Sequence, residues 1–238
     1  MPTSSGLLSN LSQRLRAVLF DMDGTLLDTA PDMVNALNAL RHERSLAPLP
    51  YEIVRSAVSH GAARVVRMGF ENVAEPEFTQ LQQRFLEIYR GALSVQTRLF
   101  PGMEAVLDEL DARGLLYGIV TNKAAWLTEP LLEQLRLRSR FACVVSGDTT
   151  TERKPHPLPL LHAAALAGVA PEACVYVGDA QRDVEAAHAA GMPALVANYG
   201  YLRADEDSRS WGGDVYLQRP LDLLDWLRGL ERFPSENT

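Results

Sequence analysis

The sequence predicts an α/β fold in which a parallel sheet carries an inserted helical domain. Six short apolar runs have the length of buried strands, helical patterns lie between them, and one long interval is helical throughout. The chain has 238 residues and is 47% hydrophobic, which is enough to bury the core of one large domain or of a domain with a smaller insert.

The apolar runs are predicted to form the strands of one sheet. They are Ala17–Phe20, Leu115–Val120, Cys143–Val145, Val175–Val177, Ala194–Val196 and Val215–Leu217. Three of the helical patterns before these runs end at Gly114, Gly168 and Gly191, and glycine suits the left-handed residue that often closes a helix. Strand, helix and strand recur, which predicts an α/β architecture with parallel strands.

The interval between the first two runs breaks this rhythm. From about Asp28 to Leu99 the pattern is helical and no convincing strand is found. We therefore predict a core domain of residues 13–27 and 99–232 and a helical cap domain of residues 28–98. A cap above a site at the strand ends excludes water from that site when it closes.

Charge and apolar patterning disfavour nucleic acid and membrane as partners. The formal charge is −7, and the lysines and arginines are scattered rather than gathered into the basic stripe that a nucleic-acid backbone requires. Residues 1–16 lack the unbroken apolar run of a signal peptide, and no later segment is long and apolar enough to span a membrane. We expect a cytoplasmic protein, either a monomer or a homodimer.

The strongest functional signal directly follows the first apolar run. It is the hexapeptide Asp21-Met22-Asp23-Gly24-Thr25-Leu26. Alternate side chains of an extended backbone point the same way, so Asp21 and Asp23 are expected to face one site just past the strand, and Gly24 lets the chain turn away. Ligands of open α/β sheets bind at this edge. An isolated Asp-Gly pair would be a solvated turn, whereas the whole hexapeptide after a buried strand is more specific.

Two further segments offer ligands for a phosphate group. Thr121-Asn122-Lys123 follows the second apolar run and precedes a helical pattern, so a hydroxyl and free backbone N–H groups meet at a helix start. Lys154 precedes Pro155, which stiffens the loop, and supplies a compact positive charge. Taken alone, Thr121 would be a helix cap and Lys154 a surface lysine.

A fourth segment, Gly178–Asp183, adds two carboxylates. Asp179 is expected at a strand tip and Asp183 one turn into the next helix, where both reach one cation; alternatively, Asp183 complements the helix dipole. Two unit charges about 4 Å apart interact by roughly 4 kcal/mol at an effective dielectric of about 20, so clustered carboxylates and a phosphate need a cation besides Lys154. Mg²⁺ prefers oxygen ligands and bridges carboxylates to substrate phosphates, so we predict Mg²⁺.

In order, spacing and chemistry, the four segments resemble the four motifs of the haloacid dehalogenase-like hydrolase superfamily, over about residues 16–230. The helical insert resembles the small cap of the phosphoglycolate phosphatase-like branch. The resemblance implies a Rossmann-like core and a phosphoric monoester hydrolase that acts on a small phosphorylated metabolite. Dehalogenases lack the second aspartate of the first motif, so Asp23 favours phosphate chemistry.

By motif position, the resemblance implies a role for each core residue. Asp21 would be the nucleophile, forming an aspartyl phosphate, and Asp23 the general acid and base. Thr121, Asn122 and Lys154 would bind the transferring phosphoryl group.

The resemblance also implies the magnesium ligands. Asp179 would bind the ion directly, with one carboxylate oxygen of Asp21 and the backbone carbonyl of Asp23. Asp183 would be a supporting residue.

Substrate choice is expected to come from the cap, through the loop Ser59–Arg64. The candidate specificity residues are His60, Gly61 and Arg64, because a guanidinium group pairs with a substrate carboxylate in a bidentate fork. The alternatives are a solvated helical arginine and a loop histidine that packs at the cap hinge.

Two substrates stay open, 2-phosphoglycolate and N-acetylmuramic acid 6-phosphate. Residues 59–64, 198–201 and 210–214 resemble phosphatases of the second compound, which is hydrolysed in peptidoglycan recycling. We therefore favour N-acetylmuramic acid 6-phosphate as the substrate. Both compounds carry a carboxylate and a phosphate, so Arg64 does not separate them.

Two other functions share parts of the pattern. A sugar phosphomutase uses the same aspartyl phosphate, and a phosphorelay receiver combines aspartates, a hydroxyl and a lysine with magnesium but needs no helical insert.

Overall fold

The predicted strands form one parallel sheet in the computed structural model, which describes residues 11–203 and 205–232. All six apolar runs lie in this sheet, so the predicted core architecture is confirmed. The strands are β1 Ala17–Phe20, β4 Leu116–Val120, β5 Cys143–Val145, β6 Cys174–Gly178, β7 Ala194–Ala197 and β8 Val215–Leu217. The order across the sheet is β5-β4-β1-β6-β7-β8, with every neighbouring pair parallel.

Helices cover the sheet and connect its strands. They are α1 Leu11–Arg14, α6 Met103–Ala112, α7 Ala125–Gln134, α8 Leu158–Leu166, α9 Gln181–Ala189 and α10 Asp222–Arg232. The predicted helix-closing glycines Gly114, Gly168 and Gly191 have φ angles of 66°, 67° and 74°, the left-handed region that glycine adopts without strain. Each of these glycines lets the chain leave a helix and turn towards a strand.

The long interval after β1 folds as a helical cap. Its helices are α2 Ala30–Glu43, α3 Tyr51–Arg55, α4 Gly61–Gly69 and α5 Glu77–Arg90, with a 3₁₀ turn at Val58–His60. Helix α2 packs against the other three, because its inward face is apolar. One hydrophobic cluster continues from the sheet, through Val18, to cap residues such as Leu37 and Phe85.

The two chain crossings between core and cap contain a short antiparallel strand pair that the sequence analysis missed. Strand β2, Leu27–Asp28, pairs with β3, Arg98–Leu99. The expectation that no strand lies between Asp28 and Leu99 was therefore wrong at both ends of the interval. Strands of two residues are too short to show an alternating pattern.

The described chain begins slightly before the predicted start of the core domain at residue 13. Helix α1 starts at Leu11, which is completely buried, and it packs against α10. Residues 1–10, which make up most of the segment tested for a signal peptide, lie outside the described residues. Within the part of the chain that the structure describes, no helix combines the length and the hydropathy needed to cross a bilayer.

Candidate active site

Four loops bring the motif residues together at one edge of the sheet. Asp21 directly follows β1, Thr121 follows β4 and Asp179 follows β6, while Lys154 lies in the loop between β5 and α8. Strands β4, β1 and β6 are neighbours and all parallel, so their carboxyl ends open onto the same crevice. Motifs that are more than 150 residues apart in sequence therefore share one site.

Three buried carboxylates lie within the reach of one cation. One ligand atom from each of Asp21, Asp179 and Asp183 lies within 4.8 Å of the others. Burial, together with the carboxylates of Asp21 and Asp183, raises the pKa of Asp179 to about 7. Burial and the two neighbouring carboxylates thus both disfavour the ionised form of Asp179. The group fits a divalent ion with a preference for oxygen ligands.

Two glycines allow the chain to approach the carboxylate of Asp179. A Cβ atom on Gly24 would lie 2.2 Å from its Oδ2 atom, and one on Gly200 would lie 2.4 Å from its Cβ atom. Gly24 also has a φ angle of 87°, which other residues rarely adopt. The glycine of the first motif is therefore needed both for the turn and for the space beside the candidate metal ligand.

Lys154 lies between two of these aspartates and is completely buried. Its Nζ atom is 2.9 Å from Asp21 Oδ1 and 2.8 Å from Asp183 Oδ1, and it donates a hydrogen bond of 2.7 Å to the Tyr176 hydroxyl. Asp183 also accepts the Ala180 backbone N–H, at 3.0 Å, at the start of α9. Its carboxylate thus both supports the helix start and belongs to the charged cluster, while a contact of Asp183 with a cation stays a prediction.

The side chain of Asn122 holds the Lys154 loop in place. Its Nδ2 atom donates to the Lys154 carbonyl at 2.9 Å, and its Oδ1 atom accepts the Lys154 backbone N–H at 3.1 Å. Asn122 lines the cavity, as does Thr121, but both ends of its amide are occupied by backbone groups. The side chain of Asn122 therefore positions Lys154. If Asn122 contacts phosphate as predicted, the contact would come from its backbone.

Asp23 lies outside the carboxylate cluster and has a different set of partners. Its Oδ1 atom accepts the Thr29 hydroxyl at 2.7 Å, and Lys123 Nζ lies 3.0 and 3.2 Å from its two carboxylate oxygens. Lys123 also donates to the hydroxyl of Tyr89, a cap residue on α5, at 2.9 Å. Asp23 is thus held in place by one cation and one hydroxyl.

The titration of these partners follows from their burial and pairing. Although burial opposes its charge, Asp23 and Tyr89 raise the pKa of Lys123 above its usual value. Burial raises the pKa of Tyr89 to about 12, even though Lys123 opposes the shift. Lys123 is therefore a fixed ammonium group and Tyr89 a neutral phenol at physiological pH.

A cavity of about 590 Å³ lies between these core residues and the cap. From the cap, the residues 58–63 line it, together with Gln82, Leu86 and Tyr89. His60 and Gly61 thus lie at the cavity, while their role in substrate choice stays a prediction. Burial and the neighbouring Arg182 lower the pKa of His60.

Arg64 does not join this cavity. It is exposed and lines a separate pocket with Ser56, Met68 and Arg203, which His60 also borders. Gly61 and Arg64 lie one turn apart on α4, so the first turn of this helix borders the cavity while Arg64 borders the second pocket. The structure therefore separates Arg64 from the site where it was expected to meet a substrate carboxylate.

Two other arginines, Arg153 and Arg182, line the cavity that Asp21 and Asp23 border.

Several site residues were not singled out from the sequence. Lys123 lies next to Thr121 and Asn122 in the second motif, and Arg182 lies inside the fourth motif. Their positions within these motifs could have indicated that both residues belong to the site. Tyr89 and Trp126 carry no such signal, because they reach the cavity from a cap helix and from the start of α7.

Comparisons with known proteins agree with this architecture. Residues 18–197 match the model of the haloacid dehalogenase-like hydrolase family. A phosphoglycolate phosphatase of Xanthomonas campestris pv. campestris is 46% identical over 208 residues, 87% of this chain and 94% of that protein. An N-acetylmuramic acid 6-phosphate phosphatase of Pseudomonas aeruginosa is 38% identical over 215 residues, 90% and 95% of the two chains. The crystal structure of a predicted phosphoglycolate phosphatase from Haemophilus somnus has a TM-score of 0.80 and 26% identity, covering 90% of this chain and 98% of that one.

The parallel sheet, the acidic site at its strand ends and the helical cap define a Rossmann-like α/β enzyme with a cap domain. More particularly, the chain belongs to the haloacid dehalogenase-like hydrolase family, since the family model and the relatives each cover most of it. Within that family it is a phosphoric monoester hydrolase. Phosphatases of this family generally use a divalent metal ion, and the three buried aspartates form a group of the required kind.

Proposed function

We propose that the protein is a Mg²⁺-dependent phosphomonoesterase in which Asp21 is the nucleophile and Asp23 transfers protons. The observation that carries this proposal is the different environment of two aspartates in one loop. Asp21 belongs to the buried carboxylate cluster beside Lys154, whereas Asp23 lies outside it beside Lys123. Two carboxyl groups in contrasting environments are suited to different chemical roles.

The first chemical step would use the fixed orientation of Asp21. Its Oδ1 atom accepts the Met22 backbone N–H at 2.8 Å and pairs with Lys154, which leaves its other oxygen to attack phosphorus. An oxygen–phosphorus bond forms to Asp21 as the ester oxygen–phosphorus bond breaks. Asp23 gives its proton to the departing oxygen.

The second step would restore the enzyme. Asp23, now ionised, takes a proton from water, and the water oxygen attacks phosphorus while the bond to Asp21 breaks. Inorganic phosphate leaves, and Asp23 is protonated again. Such transfers depend mainly on positioning and on stabilising negative charge.

Charge stabilisation would come from three sources on the core. Lys154 and the Thr121 hydroxyl would hold phosphate oxygens, with backbone N–H groups of the loop that leads into α7. Asp21, Asp179 and the Asp23 backbone carbonyl would hold Mg²⁺, with Asp183 supporting them. When bound, the ion supplies positive charge to the phosphoryl group.

The substrate we propose is N-acetylmuramic acid 6-phosphate. A cavity of about 590 Å³ with Met33, Val58, Leu86 and Trp126 in its walls suits a sugar with apolar substituents better than a compound as small as 2-phosphoglycolate. Arg153 and Arg182 line this cavity, and one of their guanidinium groups would meet the carboxylate of the lactyl group. The Pseudomonas aeruginosa relative named for this activity is 38% identical.

The second candidate substrate is 2-phosphoglycolate. It is supported by the name of the Xanthomonas campestris relative, which is 46% identical over 87% of the chain. It also carries a carboxylate beside its phosphate, so the cavity cations suit it as well. The larger apolar part of the cavity would then stay unused.

The test is phosphate release by purified protein in the presence of Mg²⁺. We expect a higher kcat/KM for N-acetylmuramic acid 6-phosphate than for 2-phosphoglycolate, and loss of both activities with a chelator. The opposite ratio would establish the second candidate. An isomerised sugar phosphate without free phosphate would indicate a phosphomutase, and a single stoichiometric phosphorylation would indicate a phosphoacceptor. Cell fractionation would check the cytoplasmic location, which is part of the same proposal.

A further inference from the structure

A hydrogen bond from the cap ends directly on a proposed metal ligand. Ser59, in the 3₁₀ turn before α4, donates its hydroxyl proton to Asp179 Oδ2 at 2.6 Å. The two residues are 120 positions apart in sequence and belong to the cap and the core. The contact therefore exists only while the cap lies over the sheet edge.

Asp179 is held asymmetrically by its neighbours. Its Oδ2 atom accepts both Ser59 Oγ and the Tyr201 backbone N–H, at 2.6 and 2.9 Å. Its Oδ1 atom has one long contact of 3.5 Å, with the Thr25 hydroxyl. Two short hydrogen bonds to one oxygen fix the plane of the carboxylate and leave the other oxygen available to a cation.

The backbone of Ser59 is tied to the same motif. Its carbonyl accepts a hydrogen bond from Arg182, which lies on α9 next to Asp183. Ser59 thus contacts the fourth motif through its side chain and its main chain. These two hydrogen bonds distinguish Ser59 from other cap residues at the cavity, such as Val58 and Leu86, whose side chains are apolar.

We infer that Ser59 is a positioning residue for Asp179, so that cap closure strengthens binding of the divalent metal ion. The inference rests on the proposed function, in which Asp179 is a metal ligand. Residues that orient a metal ligand through hydrogen bonds contribute strongly to metal affinity. Because coupling between two equilibria is reciprocal, bound metal must in turn favour the closed cap.

Calorimetric titration of MgCl₂ into the purified protein tests the first half of the inference without any turnover. We expect Ser59→Ala to raise the Kd for Mg²⁺ about tenfold, the lower end of the effect known for ligand-orienting residues. Ser59→Thr keeps the hydroxyl and should bind nearly as the unmodified protein does. Ser56→Ala is the matched control, because Ser56 lies on the same cap and borders the pocket that holds Arg64, not the catalytic cavity.

Hydrogen exchange with and without Mg²⁺ tests the reciprocal half. We expect Mg²⁺ to slow amide exchange over residues 57–62 in the unmodified protein and in Ser56→Ala, and to do so much less in Ser59→Ala. Equal Kd values and equal protection in Ser59→Ala would overturn the inference, and so would tighter binding, which would mean that Ser59 competes with the ion. Failure of the unmodified protein to bind Mg²⁺ would instead overturn the proposed function.

Discussion

Two buried lysines divide the site into parts of different origin. Lys154 pairs with Asp21 and Asp183, and all three residues belong to the core around the sheet. Lys123 pairs with Asp23 and also contacts Tyr89, which comes from the cap. The Lys154 side chain is 0% exposed and the Lys123 side chain 6% exposed, so both ammonium groups are out of water.

The difference shows which half of the site depends on the cap. The cluster around Lys154 is built from core residues alone, since its partners Asp21, Asp183 and Tyr176 all belong to the core. The cluster around Lys123 is complete only when Tyr89 reaches it. Under the proposed mechanism, the nucleophile and the phosphate ligands would be preorganised, whereas the surroundings of Asp23 would be completed as the cap closes.

Asp21→Asn should have the largest effect, because it removes the reaction centre of the core cluster. An amide does not replace a carboxylate nucleophile, and we expect kcat to fall at least about 10⁴-fold. Phosphate release and trapping of the phosphorylated protein measure this loss. Asp225→Asn, on the exposed face of α10, is the control and should keep full activity. Turnover by Asp21→Asn close to that of the control would contradict the mechanism.

Lys154→Met should combine lower activity with lower stability. Removal of one partner from a buried ion pair costs about 3–5 kcal/mol, because Asp21 and Asp183 then stay buried without their cation. Urea unfolding in the absence of metal measures this loss of unfolding free energy. Lys123→Met should cost less, since its partner Asp23 keeps a hydrogen bond from Thr29 and is 15% exposed. An equal or greater loss in Lys123→Met would remove the distinction between the clusters.

Sequence reasoning reached the core cluster and also Asp23, but it did not single out Lys123 and Tyr89, which surround Asp23. Each of Asp21, Thr121, Lys154 and Asp179 lies within a short motif, and parallel strands place the ends of such motifs at one edge. The six strands were recognisable for a related reason, since buried parallel strands are continuous apolar runs. Local pattern and sheet topology were sufficient for both.

The cap contacts depend on information that the motifs do not contain. Tyr89 meets Lys123 across 34 residues, and Ser59 meets Asp179 across 120, so both contacts require the docking angle of the cap. The same limit explains Arg64, whose direction depends on the rotation of α4 over the site. A single sequence shows that a cap exists, but the packing of its helices decides which of its side chains enter the cavity.

Lys123→Met should weaken proton transfer more than phosphate binding. Without the ammonium group, Asp23 loses its fixed position, and general acid–base catalysis contributes about 10²–10⁴-fold to a rate. We expect kcat for an alkyl phosphate to fall about 10²-fold. The rate of burst-phase formation of the aspartyl phosphate from p-nitrophenyl phosphate should fall much less, because the p-nitrophenolate leaving group needs little protonation. Lys123→Arg should recover part of the loss. A pure increase in KM would instead assign Lys123 to substrate binding.

Tyr89→Phe should have the smallest effect and gives the most direct test of the cap's role. The change removes one hydrogen bond to Lys123 but keeps the aromatic ring, whose centroid lies 4.7 Å from the ammonium group. A single hydrogen bond contributes about 0.5–1.5 kcal/mol, so kcat/KM for an alkyl phosphate should fall roughly two- to tenfold. Tyr216→Phe, on strand β8, is the control.

The double variant Lys123→Met/Tyr89→Phe decides whether the two residues act as one unit. If Tyr89 works through Lys123, its loss adds nothing once the lysine is gone, and the double variant should match Lys123→Met. Additive losses would mean that Tyr89 contacts the substrate directly. In that case Tyr89 would help to select the substrate and would not complete the surroundings of Asp23. The two lysine clusters would then differ only in how deeply they are buried.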